Sequence, residues 1–263
     1  MTEISKLREI PHWSYSTFNT YLTCPLKYRF QYIDCAPVER TGSCFPFGRA
    51  FHAALSDRAR QGVTLTEAEV KECFADYLKI ETEAADNLQY KEGENFDTLL
   101  ACGSKMLEVA LADWNDDYSV KSVAEGFSVI VPGLSKPLIG EFDMVVVDGE
   151  ADTIVDWKTS SSKWAMGKAD RSLQCSAFCY AYKQLYGKSP VFRFEVYTKT
   201  KTPGHNSYYT LRTNDELHRF EFTVRELERS IQAGHFYPND SALTCGDCPY
   251  RERCKVVHTK GGF

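Results

Sequence analysis

The feature that most constrains the fold is a pair of apolar segments joined by a turn. Residues 138–147 (LIGEFDMVVV) and 153–159 (TIVDWKT) have the residue types and lengths of β-strands. Between them, Asp148-Gly149 favours a tight hairpin turn, because glycine readily takes positive φ angles. The sequence therefore predicts an antiparallel hairpin, and its many valines argue against an exposed sheet edge.

The hairpin carries two carboxylates and a lysine. Asp143 lies on the first strand, and Asp156 and Lys158 lie on the second, where residues two apart share a face. The turn can bring Asp143 close to both. Two carboxylates near a lysine in apolar surroundings are costly unless a cation is bound, and carboxylate oxygens suit Mg²⁺ or Mn²⁺. A solvated Asp–Lys pair is the alternative interpretation, which the apolar context disfavours.

The rest of the chain alternates between helical and extended patterns. Ser14 or Ser16 is expected to cap a short helix that Pro25 disturbs or restarts. Further helices are predicted over residues 48–60, 67–79, 96–114, 169–186 and 215–233, and further strands over residues 126–131, 191–199 and 207–212. This order indicates a small mixed sheet flanked by helices, in an α/β or α+β core.

Composition excludes several classes of protein. The 263 residues include 35 Phe, Trp and Tyr, far too many for a disordered or low-complexity chain. No transmembrane helix is expected, and the charged first 15 residues argue against a secretory signal. The net charge of −5 gives no overall nucleic-acid signature, but residues 156–201 carry a net charge of +6 and residues 64–118 carry −10. The basic excess begins at the Asp-Trp-Lys segment.

Cysteines are frequent, with ten in the chain, and three of them are closely spaced near its end. Cys245, Cys248 and Cys254 have the spacing C-x₂-C-x₅-C, which is typical of a thiolate metal site. A closed site needs four ligands, and both Zn²⁺ and an iron–sulfur cluster accept four thiolates. The other cysteines are expected to be small buried hydrophobic residues. Cys35 and Cys44 are alternative ligands.

These features resemble the RecB-like branch of the PD-(D/E)XK nuclease superfamily. The matching pieces are the Gly-x-x-Asp motif ending at Asp143 on the first strand, the Asp156-Trp157-Lys158 segment, and the motif GRAFH on the upstream helix, whose last residue is His52. The resemblance implies that His52, Asp143 and Asp156 bind Mg²⁺ or Mn²⁺. It also implies that Lys158 is catalytic, together with the two aspartates.

The resemblance extends to the helix after the hairpin, where the family often has Gln-x-x-x-Tyr. Gln174 matches, which implies that it binds DNA and lines the site. The fourth residue after it is Phe178, whereas Tyr180 and Tyr182 are out of register. The family tyrosine therefore has no direct match in this sequence.

Several other residues are candidates for contacts with DNA or metal. Lys163, Lys168 and Arg171 follow the second hairpin strand and can meet phosphates. The aromatic and basic segment 28–32 (YRFQY) is expected either to stack on bases or to belong to the core. Glu125 is a weaker candidate for a further acidic site residue, with a salt-bridged or exposed glutamate as the alternative.

The resemblance also supplies a fourth ligand for the cysteine site. RecB-like nucleases with an iron–sulfur staple, including CRISPR-associated exonucleases and AddB-type subunits, place one cysteine before the nuclease core and three after it. This implies that Cys24 joins Cys245, Cys248 and Cys254 around a [4Fe–4S] cluster, with Zn²⁺ as the alternative. Such a site would tie the two ends of the chain together and limit the entropy of the unfolded state.

The resemblance implies one restriction-endonuclease-like α/β domain. It comprises a mainly helical part (13–118), a nuclease core (120–233) and a cysteine-rich tail (234–263). The implied function is a cytoplasmic, metal-dependent exonuclease on single-stranded DNA, in repair, recombination, phage replication or CRISPR adaptation. The alternative is a non-catalytic subunit for DNA-end binding or assembly. The sequence lacks G-x-x-x-x-G-K-[ST], so unwinding requires a helicase partner; a CRISPR integrase is a second candidate partner, and no membrane partner is expected.

Overall fold

The computed structural model describes residues 3–115, 119–149 and 151–259. The strands of the described residues are β1 (Trp13–Ser14), β2 (Thr41–Gly42), β3 (Leu88–Gln89), β4 (Ser119–Val129), β5 (Leu138–Asp148), β6 (Ala151–Ser160), β7 (Val191–Thr198) and β8 (His205–Thr210). Six of them form one mixed sheet, and β2 and β3 form a separate parallel pair. This confirms the predicted mixed sheet of an α/β fold.

The helices account for most of the N-terminal half. Those of the described residues are α1 (Ile4–Leu7), α2 (Tyr15–Thr23), α3 (Pro25–Tyr28), α4 (Cys44–Gln61), α5 (Glu67–Glu83), α6 (Phe96–Ala112), α7 (Leu173–Tyr186), α8 (Asn214–Gln232), α9 (Ala242–Cys245) and α10 (Arg251–Thr259). A π-helical turn covers Arg29–Ile33, and a 3₁₀ turn covers Gly62–Thr64. None of the helices in these described ranges is both long and apolar enough to cross a membrane.

Strand β5 organises the sheet. It pairs antiparallel with β4 along one side. On its other side it pairs with β1 near its start and with β6 near its end. Strands β7 and β8 continue the sheet beyond β6, with β7 parallel to β6 and β8 antiparallel to β7. The side of β5 that faces β1 and β6 therefore has an unpaired stretch between them.

Helices cover both faces of the sheet and create two main cores. On one face, residues of α2, α7 and α8 pack against β5, β6 and β7, with Phe142, Ile154 and Phe194 at the centre. On the other face, α4, α5 and α6 pack around Phe51, Phe74 and a different set of strand residues. Helices on both faces of the sheet explain why residues 152–157 of β6 are all buried.

Several predicted bounds were wrong, including the start of α4, which is Cys44 instead of residue 48. Strand β4 begins at residue 119 instead of 126, because its polar first half pairs with the end of β5. Helix α7 begins at Leu173 instead of 169, since the Ser172 side chain accepts a hydrogen bond from Cys175 N and caps it. The tail predicted as a loop contains α9 and α10.

The N-terminal caps agree with the sequence. Ser14 caps α2, where its side chain and that of Thr17 each accept a hydrogen bond from the other residue's backbone N–H. Pro25 begins a new helix, α3, and Cys24 is its N-cap, with Sγ accepting from Lys27 N at 3.4 Å. The helix break thus places a cysteine thiol at a fixed position.

A polar cluster at the α6 side of the sheet, formed by the buried Glu195, the half-buried His205 and the exposed Asp113, gives a pH-dependent prediction. His205 Nε2 lies 2.5 Å from Glu195 Oε2, and His205 Nδ1 lies 2.9 Å from Asp113 Oδ2. Burial lowers the pKa of His205, but the two carboxylates outweigh this effect and raise it above 6.5 overall. The protonated ring therefore stabilises the fold fully below pH 6.5, and this stabilisation is lost as the pH rises through the folded-state pKa.

We expect His205→Gln to reduce the free energy of unfolding by about 1–3 kcal/mol at low pH, since it removes a charge shared by two carboxylates. The difference from the wild type should shrink at higher pH. Denaturant unfolding between pH 5 and 9 measures it, with the exposed His218→Gln as the control. A difference that is constant with pH would contradict the assignment of a charged ring.

Candidate functional site

The predicted carboxylates lie where the β5–β6 hairpin opens. Backbone pairing of the hairpin runs from Asp148 to Met144, which lies opposite Val155. The next residue, Asp143, uses its side chain instead, because its Oδ2 accepts a hydrogen bond from Trp157 N at 2.9 Å. A carboxylate thus takes the place of a backbone partner at the point where the two strands part.

The unpaired stretch of β5 forms one wall of a cavity. The cavity has a volume of about 590 Å³, within the range of small-ligand pockets. Gly140 and Glu141 of β5 line it together with Lys158 of β6 and Gln174 of α7. The N-terminal segment closes the opposite side, contributing Arg8, His12, Tyr15 and Tyr32. The gap between β1 and β6 therefore opens onto Lys158 and Gln174, which both contact Asp156.

His52 reaches the same point from the other face of the sheet. Helix α4 places His52 Nδ1 3.2 Å from Asp143 Oδ2. The edge of the imidazole faces the Trp157 ring, with centroids 6.2 Å apart. The predicted proximity of His52 to the hairpin carboxylates is present in the structure.

Asp156 is the most deeply buried member of the cluster, with 1% of its surface exposed. Its Oδ2 forms an ion pair with Lys158 Nζ but accepts no hydrogen bond of ordinary geometry from any described residue. Its Oδ1 accepts a hydrogen bond from Gln174 Nε2 at 2.5 Å. Asp156 and Lys158 share a strand face, as their spacing predicts.

The electrostatics of the cluster follow from burial and close charges. Burial raises the pKa of Asp156 to about 6, and the Asp143 charge adds to this rise while Lys158 opposes it. Burial also acts to raise the pKa of Asp143, but His52, Lys158 and the Trp157 N–H lower it overall. For Lys158, the two aspartates outweigh burial and raise its pKa. The two carboxylates are thus unequal, and Asp156 has the stronger need for a cation.

The donor set fits a hard divalent cation. Two carboxylates and one imidazole converge at the opened hairpin, and one buried oxygen of Asp156 lacks a proper hydrogen bond. In the structure His52 Nδ1 pairs with Asp143 Oδ2, and Lys158 Nζ pairs with Asp156 Oδ2. Among the residues that the structure describes, no group of three or more His, Cys, Asp or Glu side chains is already arranged as a metal site.

Two residues near the site were missed by the sequence reasoning. Glu141 lies two positions before Asp143 and lines the cavity, where burial and then the Asp143 charge raise its pKa. Tyr15 also lines the cavity. Burial raises its pKa, and the charges of Lys158 and Asp156 act on its hydroxyl in opposite directions. Glu141 belongs to the Gly-x-x-Asp motif itself, whereas only the folded chain brings Tyr15 to this cavity.

The four predicted cysteine ligands surround a second cavity. Cys24, Cys245, Cys248 and Cys254 all line a space of about 370 Å³ between α3 and the tail. All four are free thiols. Burial raises the pKa of Cys248, and burial followed by the charges of Asp240 and the other three thiols raises the pKa of Cys254 to about 11. The two ends of the chain therefore meet at this cavity.

The remaining cysteines only partly follow the prediction of small buried residues. Cys175 and Cys179 are buried in the main core with their sulfur atoms 3.8 Å apart. Cys35 and Cys44 are exposed, so their prediction as buried residues was wrong. Neither lines the cysteine cavity.

Comparison with known proteins assigns the chain to a family. The sequence model of the PD-(D/E)XK nuclease superfamily matches residues 12–255, nearly the whole chain. The chain belongs to the PD-(D/E)XK nuclease superfamily. Members of this superfamily generally use Mg²⁺ or Mn²⁺. A comparison with curated proteins gives no significant match.

One solved structure supports the same fold. The chain is similar to a candidate exonuclease from Eubacterium rectale, with a TM-score of 0.57 and 12% sequence identity, over 96% of this chain and 94% of that one. It is also similar to SSO0001, over 91% of this chain and 94% of that one at 12% identity, but the TM-score of 0.42 is too low to carry an argument. The first similarity shows a shared fold.

Helix α7 shows which residue stands in the register of the family tyrosine. Phe178 lines the cavity beside Lys158, one turn after Gln174. Tyr180 lies near the Ile130 carbonyl oxygen, at 3.5 Å, and Tyr182 donates to Asp152 Oδ2 at 2.7 Å. Both tyrosines therefore contact groups outside this cavity. Phe178, which lies one turn after Gln174, has no phenolic hydroxyl.

The segment 28–32 belongs mainly to the core. Tyr28 and Phe30 are buried, and Arg29 pairs with Asp34. Tyr32 is half-buried and lines the cavity beside Lys158. Of the two interpretations of this segment, core packing is correct for Tyr28 and Phe30.

Glu125 and the predicted phosphate contacts lie outside the carboxylate cluster. Glu125 accepts a hydrogen bond from Tyr186 Oη at 2.5 Å, on the far side of the α7 core. Lys163, Lys168 and Arg171 are exposed in the loop between β6 and α7. Burial and the nearby Lys158 charge lower the pKa of Lys168.

Proposed function

We propose that the protein is a metal-dependent DNA nuclease that acts as an exonuclease on single-stranded ends. The observation that carries this proposal is the convergence of His52, Asp143, Asp156 and Lys158 at the opened end of the β5–β6 hairpin. The superfamily supports a nuclease. The fold shared with a candidate exonuclease supports, by analogy, action from a strand end.

In this proposal His52, Asp143 and Asp156 hold Mg²⁺ or Mn²⁺. When bound there, the ion would supply Lewis-acid chemistry for the scissile phosphate and the attacking water. Lys158, released from full pairing with Asp156, would offset negative charge on the phosphate as a cation and orient the attacking water through its N–H groups. Gln174 holds Asp156 Oδ1 through its amide and thereby fixes the orientation of this ligand.

The substrate lies in the cavity beside Lys158. The cavity has a volume of about 590 Å³, which can hold one nucleotide, and Tyr15 and Tyr32 provide aromatic surface for a base. Arg8 and His12 provide groups for a phosphate. Lys163, Lys168 and Arg171 extend this phosphate-binding surface along the loop that follows the active-site strand.

The cysteine cavity holds a [4Fe–4S] cluster in this proposal, as in the RecB-like nucleases with an iron–sulfur staple, with Zn²⁺ as the alternative. Four thiols line one space, and Lys27 and Arg251 also line it and offset the charge of thiolates. The site joins residues that are 221 positions apart in the chain. Its role is structural, because it lies away from the carboxylate cluster.

The proposed cellular role is the processing of DNA ends in repair, recombination, phage replication or CRISPR adaptation. Unwinding would be supplied by a helicase partner, or ends would be passed to a CRISPR integrase. A non-catalytic end-binding subunit is the competing function, and the complete set of His52, two aspartates and Lys158 argues against it.

A cleavage assay tests the proposal. We expect end-labelled linear single-stranded DNA to be degraded with Mg²⁺ or Mn²⁺ and to stay intact with EDTA, whereas circular single strands of the same sequence persist. Degradation of the circular strand would contradict an exonuclease and indicate an endonuclease, because a circle has no ends. Binding to linear strands without any metal-dependent cleavage would instead support the non-catalytic subunit.

A further inference from the structure

The loop between β6 and α7 presents an apolar side chain to solvent. Met166 is 95% exposed, more than any other large hydrophobic residue in the described ranges. Single exposed hydrophobic residues are common on protein surfaces and need no explanation by themselves. This one is unusual in how the chain around it is held and in what lies next to it.

The N-terminal side of the loop is anchored by an aromatic contact. The Trp164 ring packs on Phe194 and Tyr208, with centroids 5.0 Å and 5.7 Å away. The Tyr208 hydroxyl also donates a hydrogen bond to the Trp164 carbonyl oxygen at 3.2 Å. Two residues before Met166, the backbone is therefore fixed to β7 and β8.

The C-terminal side is anchored by Arg212. Its Nη2 donates hydrogen bonds to the carbonyl oxygens of Ala169 and Ser172, both at 3.2 Å. Between the two anchors, Gly167 has a φ of +73°, which lets the chain turn sharply after Met166. The methionine is thus held outward at the tip of a constrained turn.

The surroundings of Met166 are basic and close to the catalytic lysine. Lys163, Lys168 and Arg171 are exposed, and none of them forms an ion pair with any described residue. Lys168 Nζ lies 4.2 Å from the Trp164 ring centre, and Lys158 Nζ lies 5.9 Å from the ring centre of the adjoining Phe194. The two lysines therefore stand over one aromatic layer. Lys158 pairs with Asp156, whereas Lys163, Lys168 and Arg171, with only Asp170 among them, form a surface of net positive charge.

We propose that Met166 contacts the bases of the single strand whose phosphates lie on this cationic surface. The inference rests on the proposed nuclease function and adds the part of the substrate that the loop touches. Unpaired cations on both sides of an apolar tip match a single strand, which has a line of phosphates and a row of apolar base faces. Methionine is among the side chains that proteins insert against or between bases.

A nucleic-acid strand fits this surface better than a protein partner. A protein-docking surface needs a larger area of contiguous apolar residues, whereas Met166 is a single side chain among cations. Lys168 and Lys158 also lie over the same aromatic layer, so positive charge extends from the loop to the proposed position of the reacting phosphate. A strand that occupies the catalytic cavity would leave it along this loop.

Methionine methyl NMR tests the contact without depending on cleavage. The chain has four methionines, of which Met106 and Met144 are buried and serve as internal references. The protein is labelled with ¹³C at the methionine methyl groups, and the Met166 signal is assigned with Met166→Leu. In EDTA, which prevents cleavage, a short oligothymidylate should shift the Met166 methyl signal upfield through the ring currents of the bases.

An abasic oligonucleotide of equal length provides the matched ligand, because it keeps the phosphates and removes the rings. It should bind with little shift of the Met166 signal. Met166→Ala should weaken binding of the base-containing strand by about tenfold and leave binding of the abasic strand unchanged. The exposed Ile130→Ala serves as the control variant and should bind both strands like the wild type.

The outcomes separate this inference from the function on which it rests. Binding of oligothymidylate without a change in the Met166 signal, and with unchanged affinity in Met166→Ala, would overturn the base contact and leave the nuclease intact. No binding of either strand would overturn both the contact and the proposed DNA substrate.

Discussion

Asp156→Asn is expected to abolish metal-dependent cleavage of linear single-stranded DNA while the protein remains folded. The substitution keeps the shape of the side chain and removes the buried charge that holds the cation. Lys158→Ala should lower the cleavage rate by at least about a hundredfold, since it removes a group that acts on the reacting phosphate and water. Rates of strand degradation with Mg²⁺ measure both effects.

Asp152→Asn is the matched control for Asp156→Asn, because it changes the same residue type on the same strand. Asp152 is also buried, but it bonds to Tyr182 and Lys121 away from the opened hairpin. We expect this variant to cleave at close to the wild-type rate, even if its melting temperature falls. Wild-type rates in Asp156→Asn and Lys158→Ala would overturn the assignment of the active site.

Cys24→Ser is expected to lower the melting temperature by about 10 °C or more and to reduce the content of bound iron or zinc. Serine can still accept the hydrogen bond from Lys27 N and cap α3, so the substitution isolates the loss of a metal ligand from the loss of a cap. Without this ligand the N-terminal helices lose the link to the tail that a bound metal would provide and keep only the hydrogen bonds and apolar contacts. Limited proteolysis should therefore become faster near both ends of the chain.

Cys73→Ser is the control for this variant. Cys73 is half-buried on α5, away from the cysteine cavity, and the same substitution there should cost about 1–2 kcal/mol at most. Thermal melting and metal analysis of anaerobically purified proteins give the comparison, and wild-type protein is expected to be brown. Cys24→Ser with full metal content and the wild-type melting temperature would exclude Cys24 as a ligand. One zinc and no iron or sulfide would replace the cluster with a zinc site.

The hairpin and its carboxylates could be predicted from the sequence because their signals are local. Two apolar strands with an Asp-Gly turn specify the pairing, and the two-residue spacing of Asp156 and Lys158 specifies a shared face. What the sequence could not give is the opening of the hairpin at Asp143. That opening depends on β1, which is distant in sequence and pairs with the start of β5.

The rest of the catalytic cavity depends on contacts between distant segments. Arg8, His12 and Tyr15 reach Lys158 only when the N-terminal segment packs beside β5, and no local pattern marks them. The early part of β4 was missed for the same reason, because its polar residues become a strand through pairing with β5. Spacing among the tail cysteines was visible, whereas their meeting with Cys24 required the resemblance to a family.

Binding of Mn²⁺ tests the proposed metal site of His52, Asp143 and Asp156 directly, because it does not depend on catalysis. Electron paramagnetic resonance of free Mn²⁺ gives the number of ions bound to the wild type, Asp156→Asn and Lys158→Ala. We expect the wild type and Lys158→Ala to bind Mn²⁺ and Asp156→Asn to bind it much more weakly, because Asp156 is a proposed ligand and Lys158 is not. Equal Mn²⁺ binding by the wild type and Asp156→Asn would contradict a metal site at the opened hairpin.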